Sequence, residues 1–208
     1  MQGNSRPEVS MAVHQSSRFS NNPMLSHKRA LKCIGQYLLQ TKRDGIINNP
    51  DTEKVLECYV DAYFAGGWQQ ADSRDADNVM SRTGMVIMYA NWPINWRSLL
   101  QIKFSLSTVE EDYIELSSTL REVLLLMVTR EEINKVFPLL IQNPKFVCQF
   151  HEYNQSCIKM ATGTKFSPRT KHIALKYHHF RSNVKSGWVE ITYIPTDEKL
   201  ADILTKPL

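Results

Sequence analysis

From position 107 onward, Tyr113, Leu116, Leu120, Val123 and Met127 recur at helical spacing. This is the strongest periodic signal in the sequence, and it dictates a long helix with one apolar face. Ser107 opens the helix, and Glu110 stands three residues on, as in a capping box. Such a face needs a partner, and the flanking stretches read as strands. Leu56, Cys58 and Val60 alternate with polar or amphipathic positions, as in a half-buried strand that ends near Asp61. Residues 84–89 and 93–96 flank an Asn91-Trp92 turn and read as a hairpin, with strand-like sequence at 102–106 to continue it. After the long helix, residues 146–150 read as a strand and 154–161 as a short helix. Residues 170–186 read as a longer helix, with Ile173, Tyr177, Phe180 and Val184 at helical spacing before Gly187. A strand at 188–194 and a short helix at 197–204 close the chain. This order predicts an α/β fold with a mixed sheet, because crossovers through helices leave their flanking strands parallel.

The 208 residues, 42% hydrophobic and 22% charged, have the composition of a folded globular chain with one core of ordinary size. Nothing after Met1 reads as a leader. The longest apolar run, residues 123–128, falls far short of the roughly 18 residues of a membrane span. The expectation is a soluble protein of a reducing compartment, cytoplasmic or nuclear and not secreted. Cys33, Cys58, Cys148 and Cys157 are scattered without a C-x-x-C pair, which points to buried free thiols rather than zinc ligands or disulfides. The formal charge of +4 is unevenly placed. Lys159, Lys165, Arg169, Lys171, Lys176, Arg181 and Lys185 follow one another with no acidic residue between them. Such a block suits a polyanionic partner, and equally a solvated helix face. Ahead of the first strand, residues 26–39 read as an amphipathic helix through Leu31, Ile34, Tyr37 and Leu38. The chain is therefore divided into an appended segment, 1–50, and a main domain, 51–208. The alternative is that the first segment packs on the same core.

Six sequence words then stand in order. They are Tyr59-Val60-Asp61-Ala62 with Phe64-Ala65-Gly66-Gly67-Trp68; Ser81-Arg82-Thr83-Gly84; Asn154-Gln155-Ser156; Arg169-Thr170-Lys171-His172-Ile173; Tyr177-His178-His179-Phe180-Arg181; and Leu200-Ala201-Asp202-Ile203-Leu204-Thr205-Lys206-Pro207-Leu208. Together they resemble the signature stretches of the ribonuclease H domain of copia-type retrotransposon Pol polyproteins. Ala12-Val13-His14-Gln15 with Arg18-Phe19-Ser20 resembles the tail of the reverse transcriptase that precedes that domain. The resemblance thus assigns residues 1–50 to that tail and a connecting helix, and 51–208 to the ribonuclease H-like domain. It implies a ribonuclease H-like mixed sheet of about five strands with helices on its faces. The implied activity is hydrolysis of the RNA strand of an RNA–DNA hybrid by four carboxylates holding two Mg²⁺ ions. Implied partners are the hybrid or another nucleic acid and the other parts of the polyprotein, with no membrane, in cytoplasm, nucleus or a virus-like particle.

Carried over residue by residue, the resemblance is incomplete. Asp61 matches the first carboxylate. The second, a Glu in the family, falls on Asp112, and the shorter side chain withdraws its carboxylate by about 1.5 Å. A displacement of about 1 Å costs on the order of 10²-fold in rate. Glu110 is read as the capping residue. Where the third carboxylate belongs, immediately before Asn154, stands Tyr153, a neutral phenol at pH 7. Glu152 is adjacent, but consecutive strand side chains face opposite ways, so without a bulge it cannot substitute. Asp202 matches the fourth. The resemblance makes Asp61, Asp112 and Asp202 the catalytic and metal-holding candidates, and Asn154, Gln155, Arg169, Lys171 and His172 candidate nucleic-acid contacts. Ala174 and Tyr63 stand where the family often carries Asp. Impaired cleavage is therefore expected. The alternatives are a non-catalytic nucleic-acid-binding module or a remnant with no selected function.

Overall fold

Five strands form one sheet in the order β3-β2-β1-β4-β5, with β1 spanning Leu56–Tyr63, β2 Arg82–Tyr89, β3 Trp92–Leu100, β4 Cys148–Glu152 and β5 Val189–Tyr193. The computed structural model describes residues 5–47, 49–51, 56–63, 80–101, 107–137, 147–163 and 174–206. Strands β1, β2 and β3 are antiparallel neighbours, whereas β4 lies parallel to both β1 and β5. The helices are α1 (Ser10–Ser17), α2 (Leu25–Gln40), α3 (Thr108–Val136), α4 (Gln155–Thr162) and α5 (Ala174–Ser186). The expected mixed sheet of five strands with helices is the architecture found. The parallel pairs follow from the helical crossovers between β3 and β4 and between β4 and β5.

One face of the sheet packs on α3. Leu56, Cys58, Val60, Met85, Ile87, Cys148, Phe150 and Val189 meet Tyr113, Leu116, Leu120, Val123 and Met127 in a single buried cluster. The apolar stripe read from the sequence is thus the buried stripe. Phe180 of α5 completes it, edge-on to Tyr113 at 5.9 Å and to Phe150 at 5.4 Å between ring centres. A polar seam ties α3 to β3: Arg97 Nη1 donates to Glu122, and Asn95 Nδ2 donates to the same carboxylate at 3.1 Å.

The opposite face is covered at one end by the C-terminus. Val86, Met88 and Trp96 pack there against Leu204. The approach is close at Gly84, where an added Cβ would lie 2.8 Å from Leu204 Cβ, 2.9 Å from Thr205 Cγ2 and 3.0 Å from the Ala201 carbonyl oxygen. Ser98, paired with Gly84 across the ladder, donates its hydroxyl to the Leu204 carbonyl at 2.5 Å. We therefore expect Gly84→Ala to push the C-terminal turn off the sheet, at a cost of about 1–3 kcal/mol from overpacking. Urea unfolding would measure it, and an unchanged midpoint would mean that this contact is slack.

Several local expectations are corrected. The hairpin turns at Ala90 and Asn91, both at positive φ (50° and 65°), not at Asn91-Trp92. Two left-handed residues give the turn the twist that the strands require, and Trp92 becomes the first residue of β3, opposite Tyr89. The closing helix expected at 197–204 is instead two short 3₁₀ turns, Thr196–Glu198 and Leu200–Leu204, with Lys199 extended between them. Cys58, Cys148 and Cys157 are buried free thiols, but Cys33 is exposed. The sequence at 102–106 and the helix start at 170–173 lie outside the described residues.

The N-terminal segment meets the sheet through α1. Arg82 of β2 donates to Gln15 Oε1 at 2.6 Å and lies 3.0 Å from His14 Nδ1. By contrast, α2 has no buried residue; Leu31 and Tyr37 of its anticipated apolar face are exposed.

Candidate functional site

Asp61 lies on β1 opposite Gly84, on the sheet face that the C-terminal turn covers, and it is buried. Both of its carboxylate oxygens are engaged. Lys199 Nζ donates to Oδ1 and the Thr205 hydroxyl donates to Oδ2. The break between the two 3₁₀ turns is what aims Lys199 inward: an extended residue there points its side chain at the sheet, whereas a continuous helix would have carried it around the axis. The Lys199 side chain is 1% exposed. Its ammonium sits 3.2 Å from the centre of the Tyr153 ring and 4.0 Å from Asp202 Oδ1. Asp202 is held on its other oxygen by Lys206 Nζ at 2.6 Å. Tyr153 reaches this place because the parallel ladder pairs Tyr59 with His151. One strand repeat further on, position 153 faces Asp61. Burial, then the surrounding carboxylates, pushes the Tyr153 phenol well above its ordinary range, so it stays neutral.

A second group of carboxyls lies beside this one, on the α3 side. Asp112, in the first turns of α3, accepts from Asn154 Nδ2 at 2.9 Å, and Glu152 Oε1 accepts from the Asn154 backbone N–H at 2.8 Å. Asn154 also caps α4, its Oδ1 accepting from the N–H groups of Ser156 at 3.0 Å and Cys157 at 3.3 Å. Asp112 Oδ1, Glu152 Oε2 and both oxygens of Glu111 are buried without a hydrogen-bond partner. Burial raises the pKa of Asp112 against the pull of Asn154 and Lys199, and burial with the nearby Asp112 raises that of Glu152. Glu111, fully buried, is pushed up from 4.5 to about 8 by burial and then by Asp112, Glu110 and Asp61. Crowded carboxyls of this kind hold protons that isolated ones release.

No family model matches the chain. Curated relatives do. Over 203 residues, 98% of the chain, it is 32% identical to the retrovirus-related Pol polyprotein from transposon RE1 of Arabidopsis thaliana, and it covers 13% of that protein. Over 201 residues, 97% of the chain, it is 32% identical to the Pol polyprotein from transposon TNT 1-94 of Nicotiana tabacum, covering 14%. The chain belongs to the retrovirus-related Pol polyproteins. The chain spans only about a seventh of the relatives' length. Among solved structures, it is similar to the N-terminal RNase H domain of Rv2228c from Mycobacterium tuberculosis, with a TM-score of 0.47 and 11% identity over 73% of this chain and 91% of that one.

In the Pol segment, the candidate carboxylates fall into two groups. Asp61 and Asp202 share the Lys199 ammonium, whereas Asp112 is turned to Asn154 and Glu152. Among the described residues, no three His, Cys, Asp or Glu side chains converge as a metal site would require. Mg²⁺ prefers an octahedral shell of oxygens, usually including several waters. Here an ammonium, itself backed by an aromatic face, stands against the first carboxylate. The residues present therefore do not fit the pair of Mg²⁺ ions that the family resemblance implies.

Of the anticipated nucleic-acid contacts, Asn154 is committed to internal bonds and Gln155 is exposed at the first turn of α4. Arg169, Lys171 and His172 lie outside the described residues. The basic block is only partly a surface: Lys159 and Lys185 are exposed, but Arg181 is buried. Sequence reading missed Lys199, Thr205 and Glu111, and it set Glu152 aside. For Lys199, the one available signal was a cation three residues before Asp202, a spacing that occurs on any solvated turn. Glu152 keeps to the sheet face predicted by strand alternation, yet it lies beside Asp112, which descends from α3 on that same side.

Proposed function

We propose that this Pol segment serves as a ribonuclease H-like domain whose cleavage chemistry is silenced. The observation that carries the reading is the state of Asp61. The carboxylate expected to take the first metal has both oxygens occupied by Lys199 and Thr205, and Tyr153 stands in place of the third acid. Hydrolysis of an RNA strand needs an activated water and a stabilised leaving oxygen. This cluster offers an ammonium already neutralised by its own carboxylates.

The test is Mg²⁺- and Mn²⁺-dependent cleavage of a labelled RNA–DNA hybrid, with Asp61→Asn as the control. We expect no cleavage that depends on Asp61. Cleavage by the unaltered chain that vanishes in Asp61→Asn overturns the reading. In the same reading, residues 1–50 belong to the end of the preceding reverse transcriptase and a connecting helix, and 51–208 form the domain. The absence of any buried residue on α2 supports a connector whose partner surface lies in another part of the polyprotein. We place the domain in the cytoplasm, nucleus or a virus-like particle. Among the described residues, no helix is long and apolar enough to cross a membrane.

A second reading, hybrid binding without cutting, draws on the exposed Gln155, Lys159 and Lys185. Phosphate neutralisation releases counterions, so binding by this route weakens steeply with salt. Salt-insensitive or absent binding would rule it out.

A further inference from the structure

We propose that the Lys199 ammonium, clamped between Asp61 and the Tyr153 ring, is a resident cation that takes the place of a divalent metal and closes the cluster to one. The inference rests on reading the cluster as the ribonuclease H-like site, and it concerns occupancy rather than cleavage. Asp61 and Asp202 already have cations beside them. The carboxylates of Asp61 and Asp202 face the ammoniums of Lys199 and Lys206, two negative against two positive groups. A dication at Asp61 would have to expel Lys199, which is buried beside it, and to meet Thr205 on the remaining oxygen.

Tyr153 makes the exchange harder. Its ring face lies 3.2 Å from the Lys199 nitrogen. An ammonium is attracted by that face after losing its water, whereas Mg²⁺ gives up its waters reluctantly and needs oxygen ligands in their place. The two side chains act on one another. Lysine supplies a single positive charge at the point shared by Asp61 and Asp202, and tyrosine covers it where an acid would have been a ligand. Restoring an acid at 153 alone therefore leaves the ammonium in place. Only removal of Lys199 opens Asp61.

The first measurement uses the unaltered chain. The Lys199 CεH₂ protons should appear at high field in the NMR spectrum because of the Tyr153 ring, and they should not move as Mg²⁺ is added. Loss of that position on adding Mg²⁺, or no ring shift at all, overturns the proposal. The second is Mn²⁺ uptake followed by EPR on the full chain and on Tyr153→Asp, Lys199→Gln and the double variant. Removing a unit positive charge about 4 Å from an incoming dication should tighten Mn²⁺ binding on the order of 10²-fold. We expect that gain in Lys199→Gln, a larger one in the double variant, and none in Tyr153→Asp. Equal gains from Tyr153→Asp alone and from the double variant would show that the lysine does not exclude metal. If the unaltered chain takes up Mn²⁺ through Asp61 yet leaves the hybrid intact, the resident-cation proposal fails while the silenced-nuclease reading stands. If it takes up none and still cleaves in an Asp61-dependent way, the reverse holds.

Discussion

Replacing Lys199 with methionine should lower stability by about 3–5 kcal/mol, the cost of removing one partner from a buried ion pair. Methionine keeps most of the volume and the contact with the Tyr153 ring, so the loss is mainly electrostatic. Asp61 would keep only Thr205, with its charge buried in a site that water barely reaches. The replacement of both partners is the informative comparison. Lys199→Met with Asp61→Leu removes the stranded charge, and most of the lost stability should return. Urea unfolding of the two single variants, the double variant and the parent gives the coupling directly. If Lys199→Met is within about 0.5 kcal/mol of the parent, the ammonium does not sit where the structure places it.

Glu111→Gln should have the next largest effect, and it should depend on pH. Glu111 is raised from 4.5 to about 8, so between those values the folded chain holds a proton that the unfolded chain has released. Folding then binds protons, and stability falls as pH rises through that window. The contribution is intact below about pH 4.5 and is lost by pH 8. Asp112 and Glu152, both raised, add to the slope in the same sense. Glutamine imitates the protonated acid at every pH, so the variant should match the parent at pH 4.5 and exceed it at pH 8. Neighbouring carboxyls share the released charge, which holds the gain to about 2 kcal/mol rather than the whole shift. Unfolding midpoints across pH 4.5 to 8 decide it. A parent profile that rises with pH would mean that Glu111 is ionised in the folded chain.

The predictions concern groups of different legibility. Asp61 and Asp202 could be named from short words of sequence, because each lies inside a stretch that resembles a family signature. Their shared partner could not. Lys199 lies 138 residues from Asp61, and nothing local to either position announces the pairing. Tyr153 was legible as a departure, but its service as the floor beneath an ammonium was not. Nothing in the sequence sets Glu111 apart from the other acids of its turn. It is buried because α3 begins against the sheet rather than beyond it.

What the sequence determined by itself is the set of elements and the faces they bury. Tyr113, Leu116, Leu120, Val123 and Met127 are all at most 1% exposed, since a period of 3.6 residues names one side of a helix before any partner is known. The alternation Leu56, Cys58, Val60 fixed the core face of β1 in the same way, and with it the face that carries Asp61. Tertiary structure alone decided where the C-terminal turns would lie. Periodicity cannot see that Gly84 leaves room for the C-terminal turn, that this turn breaks at Lys199, or that the break delivers a lysine to Asp61. Those outcomes depend on contacts between segments far apart in the chain, where the choice is made by packing and buried charge rather than by local backbone preference.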